Sequence, residues 1–453
     1  MNTLSIIDIL QREIVKITNI QELVIAKFKI DSRKIQKNDV FIAIKGDRCD
    51  GHDYIDEAIA LGASLIIVSD NIDIASDCNM MIIKVNDTIK SLGLLAKALL
   101  ERIHVPIIAI TGSNGKTTTK DLIASLLNTK YKVLKNEGNL NNHIGLPLTI
   151  LNYDDEDVIV LEMGMNHFKE IDYLTKICHP NIGVITNIGT AHIGNLGSKK
   201  NILKAKLEIL NGMNNGFLVI NSDDNLLKKV KSSQNQIMRC GSNRNDDLQL
   251  LNVKYYLNKT KCMVQSGQEK YMLTINIPGK YIIYDVLLAM QVALVMGIRK
   301  DNIIETIANY RSVADRTNLV ITNKCKIIND CYNASYESLD NILSILENID
   351  ETKILILGDI LELGKHQRKI LKKLVRRLNK MSNRQVFLMG KQMAKIQKKV
   401  KDSQYFADFA LLYEKLDGLS LTNKIVLIKA SHAMHFEKIY HHIINIDKIE
   451  IIG

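Results

Sequence analysis

The sequence predicts an α/β protein of three domains: a small N-terminal α/β domain, a central doubly wound and mostly parallel sheet, and a C-terminal Rossmann-like α/β domain. Three observations lead there. The chain has 453 residues, 46% of them hydrophobic, and a single core stops growing at roughly 250 to 300 residues. Short apolar runs alternate with stretches of helical periodicity along nearly the whole length. The segments between those runs are long enough to cross over between parallel strands.

The first domain is expected over residues 1–85, where "FIAIKG" and "SLIIVSD" read as buried strands and "YIDEAIALGA" as a helix stopped by glycine. The second spans 86–313 and carries the strand runs "VPIIAIT", "DVIVLEMG", "IGVITNIG" and "GFLVINSDD". The third spans 314–453 with "CKIINDCYN", "KILILGD", "QVFLMG" and "KIVLIKAS". No low-complexity linker or internal repeat marks the boundaries.

Composition narrows the class. No apolar run approaches the roughly 18 residues of a membrane span, and the start "MNTLSIIDILQREIVKI" has no basic leader region. A cytoplasmic protein is expected. Seven scattered cysteines without close pairs fit neither a disulfide framework nor a zinc site. The net charge of +11 raises the question of nucleic acid. The basic residues read as spread along the chain, and the local runs "KILKKLVRR" and "KQMAKIQKKV" as solvated helix faces without the interleaved aromatics of a single-strand binder. No nucleic-acid partner is expected.

The chemistry begins at "VPIIAITGSNGKTTTKDLIASLL", which reads as strand, tight loop, helix. A P-loop of the G-x-x-x-x-G-K-[ST] form would have glycine at position 110, where Ile110 stands. The loop is instead Gly112-Ser113-Asn114-Gly115-Lys116-Thr117, followed by Thr118. Two glycines allow backbone N–H groups to turn toward phosphate oxygens, and the helix N-terminus adds a favourable dipole. Lys116 supplies a point charge and Thr117 a hydroxyl for Mg2+. Further along, Glu162 ends one apolar run, and Asn187 and His192 follow another. Alone, these would be a solvated acid and a structural histidine; strand-end acids and donors are also where ligands gather in open α/β sheets.

"TGSNGKTTTK", "NEGNLNNHIGLPLTIL", "LEMGMNHFKEI", "ITNIGTAHIGNLGS" and "KAKLEI" occur in an order that resembles the Mur ligases, ATP-dependent amide ligases that build the peptidoglycan stem peptide. The stretch from Ile30 to Ala63 resembles their UDP-sugar domain, and "NDCYNASYESLDNILSIL" and "LGDILELGKH" resemble the member that adds the last dipeptide. The resemblance implies an ATP-dependent, ADP-forming ligase that joins D-alanyl-D-alanine to UDP-N-acetylmuramoyl-tripeptide through an acyl phosphate. It implies small-molecule substrates and a role in peptidoglycan synthesis and thereby in cell shape and division; a monomer is expected.

Residue by residue, the resemblance implies that Lys116 and the backbone of Gly112 to Thr118 hold ATP. Thr117 and Glu162 bind one Mg2+, and His192 binds a second with Lys206, which in such enzymes is carbamylated. Asn139, Asn142 and His143 line the site. Arg316 and Asp330 contact ATP, and Tyr332 and Asn333 contact nucleotide and acceptor. Ser32, Arg33 and Lys45 bind the uridine diphosphate side, with Gly46, Asp50, Gly51 and His52 continuing that motif. Several positions depart from the family pattern: Tyr281, Ile282 and Asp285 replace His, Asn and Asn, Ser335-Tyr336 replaces Asn-Pro, and Ala430 and His432 replace Gly and Arg. Histidine cannot reproduce arginine's planar, bidentate donor. The alternative is a degenerate, non-catalytic nucleotide-binding relative.

Overall fold

A computed structural model describes residues 1–46, 49–72, 79–256, 258–311, 318–331, 334–347 and 349–445. Three sheets carry the fold. The first has five strands in the order Ile14–Thr18, Met81–Val85, Leu65–Val68, Val40–Ile42, Phe28–Lys29. Its first pair is antiparallel and the rest parallel. The second has nine, in the order Glu269–Ile275, Thr260–Ser266, Leu248–Tyr255, Gln236–Gly241, Phe217–Asn221, Ile182–Ile185, Ile107–Thr111, Val158–Glu162, Val133–Lys135. The third has six, Asn318–Ile321, Lys326–Asn329, Ile425–Lys429, Lys353–Leu357, Arg384–Met389, Ser403–Phe406, parallel except for the first pair.

Every strand run expected from the sequence is a strand, and their continuous burial, as in Ile107–Thr111 and Lys353–Leu357, fits sheets covered on both faces. In the third sheet Leu355 and Leu357 join Ile342, Leu346, Leu371 and Leu374 in one core. Ile354 and Ile356 point the other way, into a core with Leu412, Leu416 and Ile439. The two-residue period thus sorts one strand into two layers.

One element was not expected. The segment Leu248–Ile275 is an antiparallel three-stranded meander rather than another strand-helix unit. Its second hairpin pairs Ser266 with Glu269 across Gly267-Gln268, with Gly267 at φ +57°. A two-residue hairpin turn of this kind needs positive φ, which glycine supplies at no steric cost.

By compactness the chain divides into two units. One comprises residues 1–109, 131–183 and 208–216; the other comprises 110–130, 184–207 and 217–453. The loop 112–117, His192, Lys206 and the third sheet belong to the same unit. No helix among the described residues is long and apolar enough to cross a membrane.

Candidate active site

In the second unit, the buried strand ends at Thr111 and the helix Lys116–Leu127 begins directly after Gly115. The loop between them is shaped by backbone alone. Gly115 sits at φ +79°, and a Cβ there would lie 2.2 Å from Asp285 Oδ1; a Cβ on Gly112 would lie 1.7 Å from Thr186 Oγ1. Both positions therefore exclude any side chain.

Neighbouring groups then fix the loop's outline. Ser113 N–H donates to the Asn187 carbonyl at 3.0 Å and Asn114 N–H to Asn187 Oδ1 at 3.1 Å. The Asn114 carbonyl accepts from Thr186 Oγ1 and Asn187 Nδ2 at 2.5 and 2.9 Å. Lys116 Nζ folds back onto the Gly112 carbonyl at 3.1 Å. Asp285, one of the departures, accepts from Thr119 Oγ1 at 3.2 Å, which braces the first turn of the helix. Ser113 Oγ is buried and, among the described residues, without a hydrogen-bond partner, so the loop holds a polar atom that a phosphate oxygen would satisfy.

Lys206 closes the helix Lys199–Lys206 and is 1% exposed. Among the described residues its amine makes no hydrogen bond or ion pair. Burial, and then the positive charge of Lys116, hold its pKa well below the ordinary lysine value. His192, at φ +59°, caps the short helix Ile193–Leu196, and its Nδ1 lies 2.8 Å from the Glu362 carboxylate. The imidazole holds that carboxyl below the usual range, against burial, with Lys116 assisting.

The C-terminal sheet domain supplies further groups that the sequence reading missed. Ser335 Oγ donates to Asn114 Oδ1 at 3.0 Å while also capping the helix Tyr336–Leu346. The Asn-Pro departure is thus put to use. Glu337 accepts from Thr190 Oγ1 at 2.6 Å and pairs with Lys199 at 3.1 Å. Lys280 N–H donates to Asn341 Oδ1, and Gly194 N–H to the Glu362 carbonyl. Asp330 is buried and held by Lys429. Ala430, in the glycine's place, is fully buried, whereas His432 is exposed. Arg316, Tyr332 and Asn333 lie outside the described residues.

The first unit holds the remaining expected residues. Glu162 ends its strand 3% exposed. Its Oε1 accepts from Asn141 Nδ2 at 2.8 Å, and Asn136 makes both a donor and an acceptor contact to its backbone. Asn136 and Asn141 were missed, although both stand in the quoted "NEGNLNN". Asn142 Oδ1 accepts from the Ile144 and Gly145 N–H groups at the start of the helix Gly145–Leu151, while Asn139 and His143 are exposed.

Nearer the N-terminus, Ser32 is buried and its hydroxyl meets Glu57. Arg33 is exposed and forks onto Asp31 at 2.8 and 3.0 Å, and this hydrogen bonding raises its pKa and lowers that of Asp31. Lys45 sits 3.5 Å from Asp50 and 3.6 Å from Asp70. His52 Nδ1 contacts Asp50 at 2.6 Å while Nε2 accepts from the Ser69 and Asp70 N–H groups. Both ring nitrogens are thereby engaged within the protein.

The fold and the loop define an α/β protein of the phosphate-loop class with a C-terminal sheet domain placed against that loop. Comparison with known proteins makes this particular. Residues 24–105 match the Mur ligase family catalytic domain, 110–293 the Mur ligase middle domain and 315–432 the Mur ligase glutamate ligase domain. The chain is 34% identical over 431 residues to the UDP-N-acetylmuramoyl-tripeptide--D-alanyl-D-alanine ligase of Bacillus subtilis, covering 92% of this chain and 93% of that one. A crystal structure of MurF from Acinetobacter baumannii superposes with a TM-score of 0.89 at 26% identity, covering 97% of this chain and 98% of that one. The MurF ligase of Thermotoga maritima, in complex with ADP, gives 0.83 at 28% identity, covering 94% and 98%. The chain belongs to the Mur ligase family.

Proposed function

We propose that this protein is an ATP-dependent, ADP-forming ligase that joins D-alanyl-D-alanine to UDP-N-acetylmuramoyl-tripeptide. The observation that carries the proposal is the near end-to-end likeness to relatives of that name, on a chain whose loop 112–117 retains an unsatisfied buried hydroxyl and a lysine beside it. The tripeptide's terminal carboxylate attacks the γ-phosphorus of ATP and ADP leaves. The amine of the dipeptide then attacks the acyl carbon and expels phosphate, giving the amide. Such a reaction is driven by positioning and charge neutralisation.

In this reading Lys116 and the N–H groups from Gly112 to Thr118 hold the phosphates, with Arg316 and Asp330 on the nucleotide side. Ser32, Arg33 and Lys45 take the uridine diphosphate end, and Asn139, Asn142, His143, Tyr332 and Asn333 serve the peptide substrates. Thr117 and Glu162 offer the oxygen donors that Mg2+ takes, and His192 keeps Nε2 as a donor because Nδ1 faces Glu362. Bound Mg2+ would neutralise charge developing on the transferred phosphoryl group.

Lys206 fits carbamylation on chemical grounds. A buried amine held away from its protonated form is nucleophilic toward carbon dioxide, and the carbamate formed would be an anion facing Lys116. The three domains would divide the work into sugar binding over 1–85, ATP binding over 86–313 and acceptor binding over 314–453, in a monomer.

The test is phosphate release by the purified protein with Mg-ATP and bicarbonate. Release that needs both the UDP-muramoyl tripeptide and D-alanyl-D-alanine, and that falls by at least about 1000-fold in Lys116→Ala, is the expected result. ATP binding without release under any combination would leave a non-catalytic relative.

A further inference from the structure

The charge is not evenly spread. Between Lys365 and Lys401 there are fourteen Lys and Arg residues and no Asp or Glu. Subtracting them from the +11 of the whole chain leaves −3 for everything else. The count corrects the reading of unclustered charge.

The structure shows how this stretch is displayed. The helix Gln367–Lys380 buries Ile370, Leu371, Leu374 and Leu378 in the core of the third sheet. Its exposed residues include Arg368, Lys369, Lys372, Lys373, Arg376 and Lys380. At 3.6 residues per turn these six fall within an arc of about 140°, along a helix about 21 Å long. The surface continues beyond it: Asn379 bonds the Lys399 carbonyl and the Lys401 N–H, which sets the exposed Lys398, Lys399 and Lys401 beside the helix end.

Within the fold this array is unfavourable. Arg368 and Lys369 occupy a first turn with no acid, against the helix dipole. The i,i+4 pairs 368/372, 369/373, 372/376 and 376/380 are all like-charged. Of the acids on the neighbouring helix and at its C-cap, Asp340 and Glu347 are taken by Arg377, and Glu337 by Thr190 and Lys199. Of the six, only Lys373 has a hydrogen bond, ion pair or ring contact from its side chain among the described residues, over the Tyr336 ring. A protein gains nothing in stability from such a face, so its use lies with a partner of opposite charge.

We propose that this face docks the protein on an anionic phospholipid surface. A convex strip of long, flexible cations suits the diffuse negative potential of such a bilayer, where each basic residue near the surface contributes roughly a fivefold gain in affinity. The apolar side of the helix is committed to the core, so binding is electrostatic, without insertion, and reversed by salt. No exposed aromatic stands in the stretch to stack on bases.

The experiment is co-sedimentation of the full-length protein with vesicles of phosphatidylglycerol and phosphatidylcholine, against vesicles of phosphatidylcholine alone. The expected result is binding to the anionic vesicles only, release at high salt, and a loss of at least about 100-fold in Lys369→Glu/Lys372→Glu/Lys373→Glu/Arg376→Glu. Circular dichroism checks the variant's fold, and the wild-type arms decide the matter if it does not fold. Absence of wild-type binding, or undiminished binding by the folded variant, overturns the proposal. Retention on duplex DNA at a salt concentration that releases the protein from vesicles would reassign the face to nucleic acid.

Discussion

Lys206 and Lys429 are both buried to about the same degree, at 1% and 2% exposure, and they teach opposite lessons. Lys429 lies on the central strand Ile425–Lys429 of the third sheet and is neutralised by Asp330. Lys206 ends a helix beside the phosphate loop, with Lys116 as its charged neighbour and no anion bonded to it among the described residues. A buried cation with its carboxylate is architecture, and its removal costs stability. A buried amine facing a second cation is held out of its charged form, which is an expense for the fold and an opportunity for chemistry.

The sharpest way to break this contrast is Lys206→Met. Turnover is expected to fall by at least about 1000-fold, while thermal stability in bicarbonate-free buffer rises. The sign follows from linkage. Burial lowers the folded amine's pKa well below the 10.5 of the unfolded chain, so between those two values unfolding takes up a proton and native stability increases with pH. The stability advantage of the Met variant should therefore be fully present below the lowered folded value and shrink as pH approaches 10.5. An advantage independent of pH would contradict it.

Asp330→Ala should do the reverse, leaving the Lys429 charge buried and unpaired. A loss of about 3 to 5 kcal/mol is expected from urea unfolding. A loss below about 1 kcal/mol would remove the distinction between the two lysines.

Glu337→Ala tests an intermediate case, a partly buried acid shared by Thr190 and Lys199. A destabilisation of about 1 to 2 kcal/mol is expected. The smallest effect belongs to Lys326→Ala, where the partner Glu351 is 40% exposed and the pair 2.7 Å apart. Less than about 1 kcal/mol is expected. Lys326 lowers the Glu351 carboxyl below 4.5, so this contribution is present above that pH and disappears as pH falls through the lowered value. Melting temperatures of wild type and variant should converge in acid.

The phosphate loop was legible in the sequence because its determinants are local: two glycines, a lysine and a threonine between a strand and a helix. What reaches the loop from afar was not. Ser335 meets Asn114 across 221 positions, Thr190 meets Glu337 across 147, and no period or spacing in a single chain announces such pairs. Asp285 read as a loss on the adenosine side, yet its carboxylate packs against Gly115 and braces Thr119, a contact that only the folded helix Lys280–Val295 creates. The meander 248–275 was missed although Gly267-Gln268 carries a hairpin signal, because the surrounding strand-helix alternation dominated the reading.

The charge between Lys365 and Lys401 has a consequence at the bench as well as in the cell. A chain that is +14 in that stretch and −3 elsewhere is electrically lopsided, and its isoelectric point describes an average that no part of the molecule possesses. On a cation-exchange resin it should be held by one side, with the eluting salt set by the helix Gln367–Lys380 rather than by the net charge. Immobilised or adsorbed on a negatively charged support, it should lie in one orientation.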